Sequence, residues 1–405
     1  MLKQASLLLI IFLNFFKFIC ADTEVLNSTN NHRQGNSSIF RTVQIGVYII
    51  IWFIGSVGGL LVIYVILFNN KLKTITNTFL LNLAIADLIF LQGIPFYLTS
   101  LINRQWIFSL FMCKLFWTFT GVNQFTAVFI LTLLAFDRYL AVCRHDLSRW
   151  RKKTCSKKVL ISLWSISIIF MLPIILYSSI DTISIETSVV SSPEESSLNP
   201  NVTTRRSFIR NFKSCTILWP ENDYIQLEIA FIFYSCLFSF FIPIFLISVF
   251  YFCIIFRLRK NKQLLNLKPA SKRKDRRKAT YLVLIVISIY VITYTPYWIF
   301  QVFLLTTYII NTNSNGGFQS NHQISAHLSS IFQFLVYLNS TLNPFFYAFI
   351  SEVFRKSFKE AIKCKTSTRL AQACFSRFLS RSGSKRNGAY NSSFRRTTEF
   401  NSDYV

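Results

Sequence analysis

Asparagine and aspartate side chains lie inside long apolar stretches of this chain, where an unpaired charge is costly. Asn82 and Asp87 lie in the second stretch, Asn123 in the third, and Asn339 and Asn343 in the seventh. A carboxylate in apolar surroundings needs a partner or an ion. We therefore expect Asp87 to face Asn339 and Asn343 in a polar centre that holds water or an allosteric sodium ion. The alternative is a neutral, hydrogen-bonded Asp87 that only joins helices.

A charged tripeptide, Asp137-Arg138-Tyr139, ends the third apolar stretch. Hydrocarbon should exclude these charges, so the tripeptide is a candidate functional site and favours a receptor over a channel or an enzyme. Catalysis inside a membrane would require paired groups, such as a second membrane aspartate or a Ser/His pair, and Asp87 stands alone. We therefore predict no catalytic site, no metal site and no cofactor beyond the sodium ion.

Seven apolar stretches have the length and composition of membrane-spanning helices. About 20 mostly apolar residues cross a bilayer as a helix, because lipid offers the backbone no hydrogen-bond partners. Apolar residues make up 52% of the chain, Phe alone contributes 43, and 15% of the residues are charged. The predicted fold is all-α, a bundle of seven transmembrane helices within residues 43–350. The spans lie near residues 43–68, 77–101, 111–142, 159–177, 225–256, 279–308 and 325–350.

The net charge of +26 raises the alternative of a nucleic-acid-binding protein, and the distribution of the charge argues against it. Of the 43 Lys and Arg residues, 32 fall at 69–73, 144–158, 257–278 and after 350. These are alternate loops, which by the positive-inside rule face the cytoplasm, and their charge also suits anionic membrane lipid. The C-terminus is then cytoplasmic, the N-terminus is extracellular, and nucleic acid is not an expected partner.

The N-terminal region has the features of an exported segment. Residues 1–21 resemble a signal peptide, with Lys3 before an apolar core and Cys20-Ala21 near a potential cleavage site, and an uncleaved apolar leader is the alternative. Residues 22–42 then form an extracellular N-terminus. Glycosylation sequons begin at Asn27 and Asn36 in this segment and at Asn201 in the loop before the fifth span.

The cysteines divide by the side of the membrane on which they fall. Apart from Cys20, only Cys113 at the outer end of the third span and Cys215 in the long outer loop face an oxidising compartment. We predict a disulfide between them, which ties the loop of residues 178–222 across the bundle. The Ser/Thr-rich part of that loop, 178–204, has a composition typical of a flexible segment.

Prolines occur in five of the spans, and each removes a helical hydrogen bond and predicts a kink. They are Pro95, Pro173, Pro243, Pro296 and Pro344. Pro296 lies about 18 residues from the basic inner end of the sixth span. Movement about Pro296 would therefore open the cytoplasmic side.

Several of these motifs together resemble the rhodopsin-like family of G protein-coupled receptors over residues 43 to about 363. The resemblance is carried by Leu83-Ala84-Ile85-Ala86-Asp87, Asp137-Arg138-Tyr139, Trp164, Pro243 with Tyr251, Pro296, and Asn343-Pro344-Phe345-Phe346-Tyr347. It implies a receptor switch made of Asp137, Arg138, Tyr139, Tyr251, Asn343, Pro344 and Tyr347. It also implies an amphipathic eighth helix over residues 351–363, a palmitoylated Cys364, and a cytoplasmic tail over 364–405.

Within this family the chain is most similar to the somatostatin, opioid and allatostatin-C receptors. The similarity lies in residues 73–77, 123–126, 215–221 and 337–340. Thr120 stands where amine, opioid and somatostatin receptors carry an aspartate, and allatostatin-C receptors resemble this chain in having threonine. The resemblance implies a peptide ligand, contacted from a pocket that contains Thr120, Gln124, Tyr294, Gln301 and Tyr337.

The chain departs from the family pattern at several functional positions. Gly59 replaces an asparagine of the first span, and Ala127 replaces a serine of the sodium site. Tyr290 and Tyr294 replace a phenylalanine and a tryptophan in the aromatic hinge before Pro296, and each adds a hydroxyl that needs a partner. Thr280 replaces an acid, so we expect Asp137 to be the main resting partner of Arg138, in a single pair that is easily exchanged.

The resemblance implies signalling by outward movement of the sixth span and coupling to a heterotrimeric G protein of the inhibitory class at the plasma membrane. Serines and threonines among the basic residues of the tail predict phosphorylation and arrestin binding. One alternative is a receptor for another peptide or a small molecule. A polytopic transporter is a more distant alternative, because the sequence lacks the internal repeats and paired broken helices expected of one.

Overall fold

Seven helical spans and one β-hairpin make up the part of the chain that the computed structural model describes, which is residues 33–69, 72, 74–144, 153–190, 205–220, 224–260, 270–313 and 322–350. Spans two and five each contain two α-helical segments. Numbered in chain order, spans one to seven are Arg33–Phe68; Ile75–Leu91 with Gly93–Asn103; Leu110–Val142; Lys153–Tyr177; Tyr224–Cys236 with Ile242–Lys260; Ala270–Asn313; and His322–Ile350.

Apolarity and length alone identify most of these helices as membrane spans. Six segments satisfy both criteria: Arg41–Phe68, Ile75–Asn103, Leu110–Val142, Ser156–Tyr177, Leu227–Arg257 and Val283–Thr307. Span seven is a 29-residue helix that packs against spans one, two and six. Its middle carries Asn339, Ser340, Thr341 and Asn343, which lower its apolarity. The predicted seven-helix bundle is confirmed.

Span one begins at Arg33, ten residues before the predicted boundary at residue 43. The sequon residue Asn36 therefore lies within the helix rather than in an irregular segment. Hydrophobicity marks the part of a helix that lies in lipid, whereas helix ends depend on caps and breakers. No proline occurs between residues 33 and 43 to end the helix at the membrane surface.

The prolines distort the spans to different degrees. Span two breaks at Gln92, three residues before Pro95, and continues from Gly93. Span five contains a five-residue π-helical turn, Leu237–Phe241, directly before the segment that carries Pro243. Pro173, Pro296 and Pro344 lie inside continuous helices. A proline alone therefore does not interrupt a helix in this structure. The α-helix is interrupted near Pro95 and Pro243, and it continues through the other three prolines.

The outer loop forms a hairpin where the sequence suggested flexibility. Strand β1, Ser178–Val190, pairs antiparallel with strand β2, Arg205–Ile217, from Ser178 opposite Ile217 to Val190 opposite Arg205. The prediction that residues 178–204 are flexible is therefore wrong as far as Val190. Ile, Thr and Val are frequent in β1, and these β-branched residues favour extended backbone more strongly than the serines oppose it.

Packing inside the bundle is organised around span three. The main core contains buried apolar side chains of every span, and a second cluster joins spans three, four and five around Phe125, Met171 and Trp219. Large apolar side chains also cover the outside, including Phe53 (62% exposed) and Phe252 (70% exposed). An apolar exterior of this kind is stable in lipid and would be an aggregation liability in water.

Candidate functional site

A disulfide between Cys113 and Cys215 holds the hairpin over the outer end of span three, with the two Cα atoms 5.7 Å apart. The predicted pairing is confirmed. The backbone N–H of Trp106 also donates to the carbonyl of Lys213 on β2 at 2.7 Å. The hairpin is therefore attached to the loop after span two as well as to span three.

The outer ends of spans three and four are joined by Lys114. Its ammonium donates to the carbonyl oxygens of Ile175 (2.7 Å) and Leu176 (2.9 Å). These carbonyls belong to the last turn of span four, which has no helical donors left, and a cation there also complements the helix dipole. Lys114 thus holds the outer end of span four, directly before β1 begins at Ser178.

Two of the predicted ligand-pocket residues meet further inward in the bundle than the hairpin. The hydroxyl of Thr120 donates to the carbonyl of Phe116 at 2.9 Å, and the hydroxyl of Tyr337 lies close to Thr120 and Gln333. The ring of Tyr337 stacks on Phe90, with ring centroids 4.4 Å apart. Spans two, three and seven thus converge on a neutral surface of hydroxyl, amide and aromatic groups.

The other predicted pocket residues lie on spans three and six. Gln124 donates from Nε2 to the hydroxyl of Ser239 on span five at 3.3 Å. The rings of Tyr294 and Tyr290 stack with centroids 4.3 Å apart. Gln301 interacts with Tyr297 on its own span. These residues lie beside the contact between Thr120 and Tyr337, since Tyr294 is also close to Tyr337.

A further polar network between spans one, two and seven was not predicted from the sequence. Gln44 donates to the hydroxyl of Tyr97 at 2.9 Å, and the hydroxyl of Tyr48 donates to the carbonyl of Ser330 at 3.1 Å. The rings of Tyr48 and Tyr97 lie 5.2 Å apart. The tyrosines in otherwise apolar windows were the available signal, because a buried phenol usually needs a hydrogen-bond partner.

The predicted polar centre forms between spans two and seven. Asn343 donates from Nδ2 to Oδ2 of Asp87 at 2.7 Å, and both side chains are buried. Asn123 and Asn339 are also buried. Within the described residues, Oδ1 of Asp87, Asn123, Asn339 and Asn343 has no hydrogen-bond partner.

Buried oxygens without donors suit a hard cation, which is coordinated by oxygen atoms, or ordered water, which donates hydrogen bonds to them. The chemistry of the residues therefore fits the expected sodium ion. No group of three His, Cys, Asp or Glu side chains that could hold a transition-metal ion occurs among the described residues.

The inner end of span three carries the predicted ion pair in a larger network. Nη2 of Arg138 lies 2.8 Å from Oδ2 of Asp137, and both residues are nearly fully buried. The hydroxyl of Thr76 on span two donates to the same oxygen of Asp137 at 2.9 Å and accepts from Arg138. Asp137 is the partner of Arg138, as expected, but the pair is not a single one, because Thr76 contacts both residues; that it exchanges easily stays a prediction. Thr76 lies in the 73–77 segment quoted for its family resemblance, but the sequence alone does not place it opposite span three.

The remaining switch residues surround this network. The hydroxyl of Tyr251 donates to the carbonyl of Thr280 at 3.4 Å, which joins the inner ends of spans five and six. Tyr139 packs against Phe250 with ring centroids 5.6 Å apart, and Tyr347 is buried after Pro344.

Two free cysteines lie close together at the inner ends of spans three and five. The Cys143 thiol donates to the carbonyl of Cys253 at 3.5 Å. Burial, with a smaller contribution from Cys253, raises the pKa of the Cys143 thiol, which therefore stays neutral. This contact joins spans three and five next to the switch.

Several predicted sites lie outside the described residues. They are the signal peptide, the sequon residues Asn27 and Asn201, the eighth helix over 351–363, Cys364 and the tail. For Asn36 the backbone is described and the side chain is not. All of these stay predictions.

Residues 58–347 match the seven-transmembrane receptor family of the rhodopsin type. The chain is 31% identical over 340 residues to somatostatin receptor type 2 of Sus scrofa, which covers 83% of this chain and 81% of that receptor. It is 32% identical over 320 residues to somatostatin receptor type 2 of Mus musculus (78% and 76%) and 29% identical over 330 residues to somatostatin receptor type 5 of Bos taurus (81% and 78%).

Proposed function

This chain belongs to the rhodopsin family of seven-transmembrane receptors, a multi-pass membrane family that is not enzymatic, and on this premise we propose that it is a receptor that activates a heterotrimeric G protein. The proposed ligand is an extracellular neuropeptide, and the proposed location is the plasma membrane. The observation that carries the proposal is the contrast along span three. Cys113 binds the outer hairpin covalently, and Arg138, 25 residues further on, lies in a network of non-covalent contacts. Helix rise separates the two positions by roughly 37 Å. A ligand and a cytoplasmic partner can therefore act on one helix without touching each other.

The ligand we propose is a peptide similar to allatostatin-C or somatostatin. The relatives reported above are named for somatostatin, which supports the peptide class. The contact between Thr120 and Tyr337 supports a pocket that does not depend on a ligand cation, because both side chains are neutral. A cation buried there would lack the counter-charge that such a group requires.

Activation is a shift between two arrangements of the bundle, of which the agonist binds one better. In the active arrangement Arg138 leaves Asp137 and approaches Tyr251, Tyr347 turns inward, and span six moves outward about Pro296. The hydrogen bond between Tyr251 and the carbonyl of Thr280 supports this sequence, because span six cannot move outward while that bond persists. The inhibitory G protein class is proposed from the family resemblance.

The polar centre is proposed to bind sodium in the resting arrangement. Asp87, Asn123, Asn339 and Asn343 would supply oxygen ligands, and their unpartnered Oδ1 atoms support this role. Ala127 removes one hydroxyl that family members use, so the affinity for sodium should be weak. Comparing agonist affinity in sodium chloride with that in N-methylglucamine chloride tests the site, and Asp87→Asn should abolish any difference.

Anionic lipid and arrestin are proposed as further partners from the composition of the cytoplasmic segments. The basic cytoplasmic loops suit anionic lipid of the inner leaflet, and the Ser/Thr-rich tail suits phosphorylation and arrestin binding.

The decisive experiment measures nucleotide exchange on purified G proteins by the full-length receptor in lipid nanodiscs. Cyclic peptides of the allatostatin-C and somatostatin types are compared with linear peptides of scrambled sequence. We expect exchange on the inhibitory class, stimulated by a cyclic peptide and not by its scrambled form. Exchange that no peptide stimulates, with a response to small amines instead, would contradict the peptide assignment.

A further inference from the structure

The hydroxyl of Tyr290 on span six has a partner on span five. It donates to the backbone carbonyl of Ser239 at 2.6 Å. Tyr290 is 1% exposed and Ser239 is fully buried, so water does not compete for this bond. A short hydrogen bond in such surroundings is stronger than one at a wet surface.

The carbonyl of Ser239 is available because of Pro243. In an α-helix that carbonyl would accept from the backbone nitrogen four residues later, and a proline there has no N–H. The π-helical turn Leu237–Phe241 ends directly before this point, so the regular bonding of span five is already altered. A buried carbonyl without a donor is costly, and the phenol of Tyr290 supplies the donor. A phenylalanine, which the family usually carries at this position, would not.

Ser239 is also held from span three. Its hydroxyl accepts from Nε2 of Gln124 at 3.3 Å. Gln124 lies one helical turn further inward than Thr120 and belongs to the predicted ligand pocket. One residue of span five therefore joins span three, through its side chain, to span six, through its backbone.

These bonds coexist with two polar contacts at the inner end of the bundle. Arg138 pairs with Asp137, and Tyr251 bonds to the carbonyl of Thr280, as expected of the resting arrangement. Tyr290 lies six residues before Pro296, on the part of span six that moves if the helix bends there. Hydrogen bonds weaken steeply once distance and angle leave a narrow range, so the bend would break the bond to Ser239.

We propose that Tyr290 is a positioning residue that restrains this receptor: its hydroxyl bond to the Ser239 carbonyl stabilises the resting arrangement of spans five and six. The inference rests on the proposed function, since it assigns to Tyr290 the control of the same switch. A ligand group that takes the amide of Gln124 away from Ser239 weakens the same junction from the pocket side.

The first test is Tyr290→Phe in the full-length receptor in nanodiscs. Nucleotide exchange on the G protein without any ligand should rise roughly 3- to 10-fold, because the loss of one buried hydrogen bond shifts a two-state equilibrium by about this factor.

Tyr234→Phe is the matched control. The hydroxyl of Tyr234 donates to the carbonyl of Phe170 at 2.7 Å and joins span five to span four. This control loses the same kind of bond and should lower thermal stability similarly, with basal exchange unchanged. A rise of equal size in both variants would mean that general loosening, and not the junction of spans five and six, controls basal exchange.

A second test restores the missing donor. Pro243→Ala returns an N–H to span five, which can satisfy the Ser239 carbonyl from within the helix. Tyr290→Phe made in the Pro243→Ala background should therefore raise basal exchange less than it does alone. An undiminished effect in the double variant would overturn the role assigned to this carbonyl.

Failure of the inference and failure of the proposed function give different results. If a peptide stimulates the wild-type receptor and Tyr290→Phe has wild-type basal exchange, the inference is wrong and the function stands. If no G protein responds to any variant, the distance between spin labels at the inner ends of spans five and six decides. A longer-distance population that grows in Tyr290→Phe, and not in Tyr234→Phe, supports the restraint, and identical distributions overturn it.

Discussion

The two ends of span three are held in opposite ways. At the outer end, a disulfide, the N–H of Trp106 and the ammonium of Lys114 fix the hairpin and span four in place. At the inner end, Arg138 is held by Asp137 and Thr76 through polar contacts that another acceptor can replace. On the proposed function, this difference predicts that the outer half acts as a rigid frame and that movement occurs mainly in the inner half. Structural change would then reach the cytoplasmic face without loss of the ligand pocket.

The largest effect is expected from removing the exchangeable contact at the inner end. Arg138→Ala should abolish peptide-stimulated nucleotide exchange, because Arg138 is the cation that pairs with Asp137 and Thr76 and would have to exchange partners on activation. Peptide affinity should stay within a few-fold of wild type, since Gln124 and Thr120 of the pocket lie roughly 21 and 27 Å away by helix rise. Radioligand binding and exchange on the same membranes measure both. An equal loss of binding would mean that Arg138 is a folding residue and that the two ends are not independent.

Breaking the disulfide at the outer end should, unlike Arg138→Ala, reduce peptide binding. Cys113→Ser should lower receptor stability by about 2–5 kcal/mol and reduce surface expression and binding together, because the hairpin loses its covalent attachment. Thermal unfolding in detergent and surface labelling measure the change. Cys253→Ser, which alters a free cysteine at the inner end, is the control and should leave stability and binding near wild type.

Span one contains one glycine that is closely packed against spans two and seven and another that lies in open space. A Cβ at Gly55 would lie 2.6 Å from Cδ1 of Leu91 and 2.8 Å from Oγ1 of Thr341, whereas a Cβ at Gly46 meets nothing within 4 Å. Gly55→Ala should therefore destabilise the receptor by about 1–3 kcal/mol through overpacking. Gly46→Ala should be neutral or slightly stabilising, because alanine favours the helix. Equal melting temperatures for the two variants would contradict a tightly packed frame.

The sequence predicts the spans well because lipid imposes one condition on every residue that crosses it. Backbone groups must be bonded within the helix, and side chains must be apolar, so a window of composition is enough. The disulfide was predicted for a similar reason, because the compartment leaves only Cys113 and Cys215. The hairpin was missed, because serines in β1 suggested disorder and pairing with β2 depends on residues far away in the chain.

The site was predicted less completely than the fold. Asp87 and Asn343 were placed together because a buried carboxylate needs a donor, and they are 2.7 Å apart. Thr76 and Ser239 were not identified, because their roles depend on which helix faces them and not on their own chemistry. For Tyr290 the sequence shows that its hydroxyl requires a partner and that Pro243 removes a helical hydrogen bond, and only the structure shows that the hydroxyl donates to the carbonyl one turn before Pro243.

The smallest expected effect concerns Thr120, at the boundary between the rigid frame and the pocket. Its hydroxyl bonds the carbonyl of Phe116 and lies close to that of Tyr337. Thr120→Ala should reduce peptide affinity by about 0.5–1.5 kcal/mol, as expected for one hydrogen bond. Thr118→Ala is the control, because that hydroxyl bonds only the carbonyl of Lys114 on its own helix, at 2.7 Å.

Thr120→Asp should reduce affinity further than Thr120→Ala, although it changes a single side chain of similar size. Tyr337 can donate one hydrogen bond to the new carboxylate, but neither it nor the stacked ring of Phe90 supplies a counter-charge. The desolvated charge would therefore oppose any ligand that brings no cation to this point. Competition binding with the native peptide decides the matter. Tighter binding by Thr120→Asp would show that the ligand does carry a cation to this position, and the pocket would then have to be regarded as one that recognises charge.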